Sequence, residues 1–160
     1  YEGLVDEGLA IVKAVRDRYD GLRRNPWNEI ECGNHYARAM ASWALVTALA
    51  GYQYSAPRRS LRLSPLVREN RFRCFYSTGS SWGVLSQDAT KTGRTAMIEV
   101  LYGKLELADF VLRAPAGPPA QVTLGRQSVP AEAKVEAGEL HLRLQPAVTL
   151  EAGDRLRVRL

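Results

Sequence analysis

Apolar side chains recur every three to four residues at the start of the chain, at Leu4, Val5, Leu9, Val12 and Tyr19, while Asp6, Lys13, Arg16 and Asp17 fill the other side. This is the helical period, so an amphipathic helix is expected over residues 4–19. Gly21 suits a left-handed helix end, and Pro26 pushes Asn25 towards an extended conformation. A second helix is expected from about His35 to Leu49, with Asn34 as its N-cap and Gly51 as its stop. This second segment is almost uncharged. Ala37, Ala41, Ala44 and Ala48 form a small-residue stripe, while Met40, Trp43 and Leu45 supply bulk on other faces. Such a helix should be buried on most sides, with Trp43 in the core.

After Tyr54 the period changes. Pro57, Pro65, Pro115, Pro118, Pro119, Pro130 and Pro146 punctuate short alternating stretches. Strands are expected at Leu61–Val67, Arg71–Tyr76, Thr95–Leu101, Lys104–Leu112, Gln121–Leu124, Glu139–Leu144 and Arg155–Leu160, with a hairpin turn around Gly138. Helices first and strands afterwards exclude a doubly wound βαβ sheet and predict an α+β chain whose second part is antiparallel and sandwich-like. The boundary is expected near Ser55 to Ser60, giving parts 1–58 and 59–160.

Composition changes this picture little. The 160 residues are 46% hydrophobic and 24% charged, as in a globular protein, and no apolar run is long enough to span a bilayer. The chain opens on Tyr1 and passes directly into an amphipathic segment, so a fragment of a longer protein is expected and localisation stays open. A net charge of +5 raises nucleic acid as a partner, but the arginines alternate with leucine and valine, as in Leu156-Arg157-Val158-Arg159-Leu160. That is the pattern of solvent-facing strand positions, and nucleic-acid binding is not expected. Cys32 and Cys74 are too few for a disulfide framework or a closed zinc site. Two free buried thiols are the simpler reading, with a single bridge between them left open.

Chemistry concentrates in one run, Arg24-Asn25-Pro26-Trp27-Asn28-Glu29-Ile30-Glu31-Cys32-Gly33-Asn34-His35-Tyr36-Ala37-Arg38. Carboxylates, an aromatic ring, an imidazole and a guanidinium lie there in a loop that feeds a helix, where they could converge on one polar ligand. If Asn28 to Cys32 is extended, Glu29 and Glu31 share a side and resemble the acid and nucleophile of a glycosidase. Against that, Glu31 near a helix N-terminus has a purely electrostatic reason to be there. His35, Arg38 and Ser42 fall on one helical face, and a lone histidine at a helix start more often holds structure than metal or proton.

The run from Arg24 through Ala44 resembles the hallmark segment near the end of the catalytic barrel in glycoside hydrolase family 116, the β-glucosidase and non-lysosomal glucosylceramidase family. Phe72-Arg73-Cys74-Phe75 and Ser81-Trp82-Gly83-Val84-Leu85-Ser86-Gln87 are similar to its continuation. The resemblance implies that the two helices are the last of an (α/α)6 barrel, completed by the upstream part of the same barrel as partner. It also implies a β-glucoside substrate, held by Glu29 and Arg38, with Trp27, Glu31 and His35 lining or bracing the same pocket. A carboxylate accepts from neighbouring sugar hydroxyls and a guanidinium donates to them. The family's glutamate nucleophile and aspartate acid/base lie upstream and have no counterpart here, so no catalytic residue is expected in the chain and the fragment alone should be inactive. No cofactor is implied, and Asp, Glu and His show no metal-ligand spacing.

Two other readings stay open. The β region could be a non-catalytic module that binds carbohydrate or buttresses the barrel. Exposure of Trp82, Tyr76 and Tyr102 on one face would favour sugar stacking and their burial would favour buttressing, the latter preferred because aromatics are more often core than platform. The chain could also belong to another (α/α)-barrel group, such as a glucosidase like the glycogen-debranching enzymes.

Overall fold

The computed structural model describes residues 2–25, 40–68, 70–90, 93–113 and 121–160. The chain divides into two compact units, Tyr1–Leu49 and Ala50–Leu160.

In the first unit the expected amphipathic helix forms as α1 (Val5–Arg18). It stops where the Asp20 carboxylate turns back to accept the backbone N–H groups of Leu22 and Arg23 at 2.9 and 2.8 Å, an arrangement that competes with continued helix. Gly21, with φ of 87°, supplies the left-handed residue just beyond the helix. The second helix, α2 (Met40–Ala50), runs into Gly51, which has φ of 57°. Contrary to expectation, Ser42 through Val46 are all exposed, and Trp43 is 59% exposed instead of buried in a core. α1 likewise has no buried residue. Uncharged composition signals that a helix needs cover; it does not supply the cover.

Ten strands dominate the described residues. β1 (Gln53–Ser55), β2 (Ser60–Leu63), β3 (Arg71–Ser77), β4 (Ser81–Thr90), β5 (Gly93–Arg113), β6 (Gln121–Leu124), β7 (Gln127–Ser128), β8 (Ala131–Glu136), β9 (Glu139–Glu151) and β10 (Arg155–Arg159) follow in order. The expected fold class is therefore corrected. With two helices among the described residues and strands nearly everywhere else, this is a β-rich domain, not the closing helices of an (α/α)6 barrel with an antiparallel appendix. The sheet is also mixed, because β2 runs parallel to β5.

One strand organises everything. The sequence suggests two strands, over 95–101 and 104–112, but β5 is continuous through both. Its first half pairs with β4 on one edge and β10 on the other, and β6 and β7 follow beyond β10. Its second half pairs with β9 and β2, with β8 outside β9 and β1 outside β2. The strands around the first half form the front sheet and those around the second half the back sheet.

The exchange between sheets happens at Gly103, whose φ is 76° and where a Cβ would lie 2.0 Å from the Ser80 carbonyl oxygen. Only glycine meets both conditions. Strands that change sheets through a bend or bulge form the corners of two-sheet β architectures. The inner positions of both halves then share one core: Tyr76, Leu85, Ile98 and Leu156 from the front sheet, with Leu61, Leu105, Phe110, Leu142 and Leu150 from the back. The hairpin expected near Gly138 joins β8 to β9 through Ala137 and Gly138, at φ of 49° and 79°. Two consecutive left-handed residues match the right-handed twist of the flanking strands.

Candidate functional site

Along β3, β4, β5 and β10 the inward residues are core, so the alternate residues form the outer face of the front sheet. Registers arrange that face in rows. Ser77, Trp82 and Tyr102 make the first row, and Phe75, Val84, Glu99 and Arg155 the second. Arg73, Ser86, Met97 and Arg157 make the third, and Arg71, Asp88, Thr95 and Arg159 the fourth. The face thus runs from aromatic at one end to cationic at the other.

Local chain geometry holds the aromatic end in place. The register shifts between Trp82 and Gly83, and a Cβ on Gly83 would sit 1.9 Å from the Glu99 carbonyl oxygen. Glycine there allows β4 to approach β5 closely and sets Trp82 opposite Tyr102. The turn before β4 is fixed by the Thr78 hydroxyl, which accepts from the N–H groups of Ser80 at 3.2 Å and Ser81 at 2.9 Å. The Ser80 hydroxyl donates to the Lys104 carbonyl at 2.9 Å, and the Lys104 N–H donates to the Ser80 carbonyl at 3.1 Å, tying this turn to the β5 corner. The Trp82 and Tyr102 rings stack with centroids 6.0 Å apart and planes 19° apart, and Phe75 lies 6.3 Å from Trp82 at 41°. All three rings are open to solvent, at 42% for Trp82, 63% for Tyr102 and 49% for Phe75.

Beyond this ridge, Arg155 donates through Nε and Nη2 to one Glu99 oxygen at 2.9 and 2.6 Å. At the cationic end a groove of about 950 Å³ opens over Arg68, Asn70, Arg71, Arg73, Asp88 and Met97. Beneath the face, burial pushes the Cys74 thiol up to about 11 and the Tyr52 hydroxyl up to about 12. Tyr52 donates to the Ser77 carbonyl at 2.9 Å. Burial also raises Tyr76, partly offset by neighbouring Ser81. A thiol so shielded stays protonated near neutral pH and is no nucleophile.

Glu29 and Arg38, together with Trp27, Glu31, His35 and Cys32, lie outside the described residues. Of the three aromatics named as indicators of sugar stacking, Trp82 and Tyr102 are exposed on one face and Tyr76 is 1% exposed in the core. Phase along the strand decides this, since Tyr76 and Phe75 are neighbours pointing to opposite sides. In the sequence Phe75 carries no signal of exposure, and the arginines of β3 and β10 lie in two separate short stretches. The alternation puts Arg157 and Arg159 on a solvent side, but only the strand order shows that Arg71, Arg73 and Phe75 share that side. Among the described residues no three His, Cys, Asp or Glu side chains are grouped as a metal site, and no helix is long and apolar enough to cross a membrane.

No protein-family model matches the chain, and no curated protein matches it.

Proposed function

We propose that this chain is a non-catalytic portion of a glycoside hydrolase and that its β unit contributes a carbohydrate-binding face. The observation that supports this reading best is the solvent-open stack of Trp82 and Tyr102 on the front sheet. Exposed aromatic rings present a flat apolar surface to the C–H faces of pyranose rings, and contiguous exposed aromatics on a soluble domain mark an interaction site. Phe75 lengthens the ridge across a third strand. Titrating the whole chain with neutral oligosaccharides while following tryptophan fluorescence tests the reading. Saturable quenching that Trp82→Ala and Tyr102→Ala each abolish is expected; no saturable response to any glycan would end it.

The 24–44 run supports the second element of the proposal, a retaining β-glucosidase as the parent enzyme, with Glu29 and Arg38 holding the glucosyl hydroxyls and the nucleophile and acid/base supplied from upstream. In this reading the exposed Leu4 at the N-cap of α1, Ile11 and Val15 within it, and Trp43 of α2 pack against that upstream partner. Glu29→Ala in the parent enzyme should weaken transition-state binding by about 1–3 kcal/mol, the worth of a buried hydrogen bond to a charged group. Unchanged kcat/KM on aryl glucosides would remove Glu29 from the pocket.

A further inference from the structure

The cationic end of the front sheet is built differently from an ordinary charged surface. Arg71 and Arg73 stand on β3, while Arg157 and Arg159 stand on β10, three strands away in the same two adjacent cross-strand rows. Three inter-strand spacings separate the two pairs, about 14 Å. Ser86 and Met97 form the floor of one row, Asp88 and Thr95 that of the next. Among the described residues none of these four guanidinium groups has an ion-pair partner, whereas Arg155, one row away, is locked onto Glu99. Even Asp88, the direct neighbour of Arg71 in register, does not pair with it.

Four like charges held on rigid strands repel one another, and among the described residues their side chains make no hydrogen bond in return. Anionic groups seated on the two pairs would convert that repulsion into charge-assisted, forked hydrogen bonds. The groove at this end is lined by Arg71, Arg73, Asp88 and Met97, Arg157 and Arg159 stand farther along the same rows, and the Trp82–Tyr102 ridge lies two rows away along the same strands. A ligand that spans both must therefore carry negative groups along with apolar ring faces. Asp88 in the middle of the floor refines this further. It would repel the closely spaced charges of a polyphosphate backbone but would accept hydrogen bonds from hydroxyl groups.

We propose that the front sheet binds an acidic glycan of uronic-acid type, with pyranose rings on the Trp82–Tyr102 ridge, carboxylates on the two arginine pairs and a hydroxyl on Asp88. This rests on the carbohydrate-binding reading above and adds the charge class of the ligand. The face would then anchor a hydrolase to an acidic polysaccharide, whatever glycosidic bond the enzyme cuts elsewhere.

The test uses the whole chain with two probes that share a backbone: oligogalacturonate and its fully methyl-esterified form, which keeps the rings and loses the charge. Calorimetric titration should give saturable binding of the acid, weakened about tenfold or more by esterification, as expected for losing charge-assisted hydrogen bonds. Arg73→Ala with Arg157→Ala should weaken the acid equally and leave the ester unaffected. Removing two cations from the back sheet, Lys134→Ala with Arg143→Ala, should change neither. Each variant replaces exposed side chains, and circular dichroism confirms the fold.

Equal binding of acid and ester would overturn the acidic-glycan proposal while leaving the sugar-binding reading intact. Binding of neither probe, nor of any neutral glycan, would remove both. A single-stranded oligonucleotide that displaces the acid at lower concentration would overturn the proposal in favour of nucleic acid. Equal losses from the front and back double variants would reduce the effect to non-specific charge.

Discussion

The outer faces of the two sheets share one core but use charge in opposite ways. On the back sheet, cations and anions alternate and meet: Arg62 with Glu139, Lys104 with Glu151, Lys134 with Glu136 and Arg143 with Asp109. On the front sheet Arg155 meets Glu99, and the four arginines beyond it meet nothing among the described residues. Exposed aromatics follow the same division, since Phe75, Trp82 and Tyr102 all belong to the front. Paired charges make a surface that is satisfied by itself and soluble. Unpaired like charges beside uncovered rings make a surface that is completed by a ligand. Because both faces rest on the same core, the difference reflects the outward residues alone and not two kinds of fold.

That shared core is the first point at which the comparison can be broken. Phe110 is fully buried on the back-sheet half of β5, within the cluster that includes Leu85, Ile98 and Leu156 of the front sheet. Phe110→Ala should destabilise the chain by about 3–5 kcal/mol. Urea unfolding followed by far-ultraviolet circular dichroism and by tryptophan fluorescence should shift together, with an unchanged m-value. If the two signals separate, the sheets are independent and their faces cannot be compared on equal terms. Gly103→Ala probes the corner between them. A left-handed φ costs a β-carbon about 1–2 kcal/mol, and the Ser80 carbonyl stands where that carbon must go, so a total loss of about 2–4 kcal/mol is expected in the same measurement.

How much of this was legible in the sequence depended on whether the signal was local. Helix α1, the Gly138 hairpin and strands β6 and β10 follow from short-range period and turn residues, and they stand where those predict. The joining of two expected strands into β5 was not legible, because Tyr102-Gly103 reads as a stop while in the structure the chain continues through that glycine in another sheet. β4 and β8 are not predicted as strands by the sequence pattern. Ser81–Thr90 is rich in serine, glycine and polar residues and is held by its neighbours β3 and β5 more than by its own propensity, and β8 is an exposed edge strand with little apolar contrast. The candidate face failed to register for the same reason. Arg73 and Arg157 are 84 positions apart, and only the order β3-β4-β5-β10 brings them into one row. The barrel expectation came from resemblance in one segment and extended a helical signal to a chain that is mostly strand.

A smaller effect sharpens the description of the back sheet. Arg62 donates through Nε to Glu139 at 2.8 Å and through Nη1 to the Gly51 carbonyl at 3.2 Å, linking β2, β9 and the end of α2. Burial alone would raise the Glu139 carboxyl, but hydrogen bonding and charge from Arg62, helped by Ser64, outweigh it and hold the group below its ordinary 4.5. A carboxylate depressed in the folded state binds its proton more readily when unfolded. Its contribution is therefore complete above about pH 4.5 and is lost as pH falls through the lower folded value. Because the pair is partly screened by solvent, about 1 kcal/mol is expected. Glu139→Gln should lower the urea midpoint at pH 7 and flatten its decline between neutral and acidic pH. A midpoint difference that persists unchanged in acid would mean that the ion pair is not its source.

The smallest stability change is expected where the comparison matters most. Arg73→Ala and Arg157→Ala, singly or together, remove cations that have no partner among the described residues and lie in a cluster of like sign. No ion pair among the described residues depends on these charges, so the melting temperature should stay the same or rise slightly as repulsion is relieved, most visibly at low ionic strength. Arg155→Ala, in the same strand as Arg157, should instead lower it, because Glu99 is left half-buried without its partner. The contrast between neighbours separates charge kept for folding from charge kept for a ligand. Thermal unfolding of the three variants at low and moderate salt decides the matter: a marked loss from Arg73→Ala or Arg157→Ala would make those arginines structural, and the front sheet would become as self-sufficient as the back.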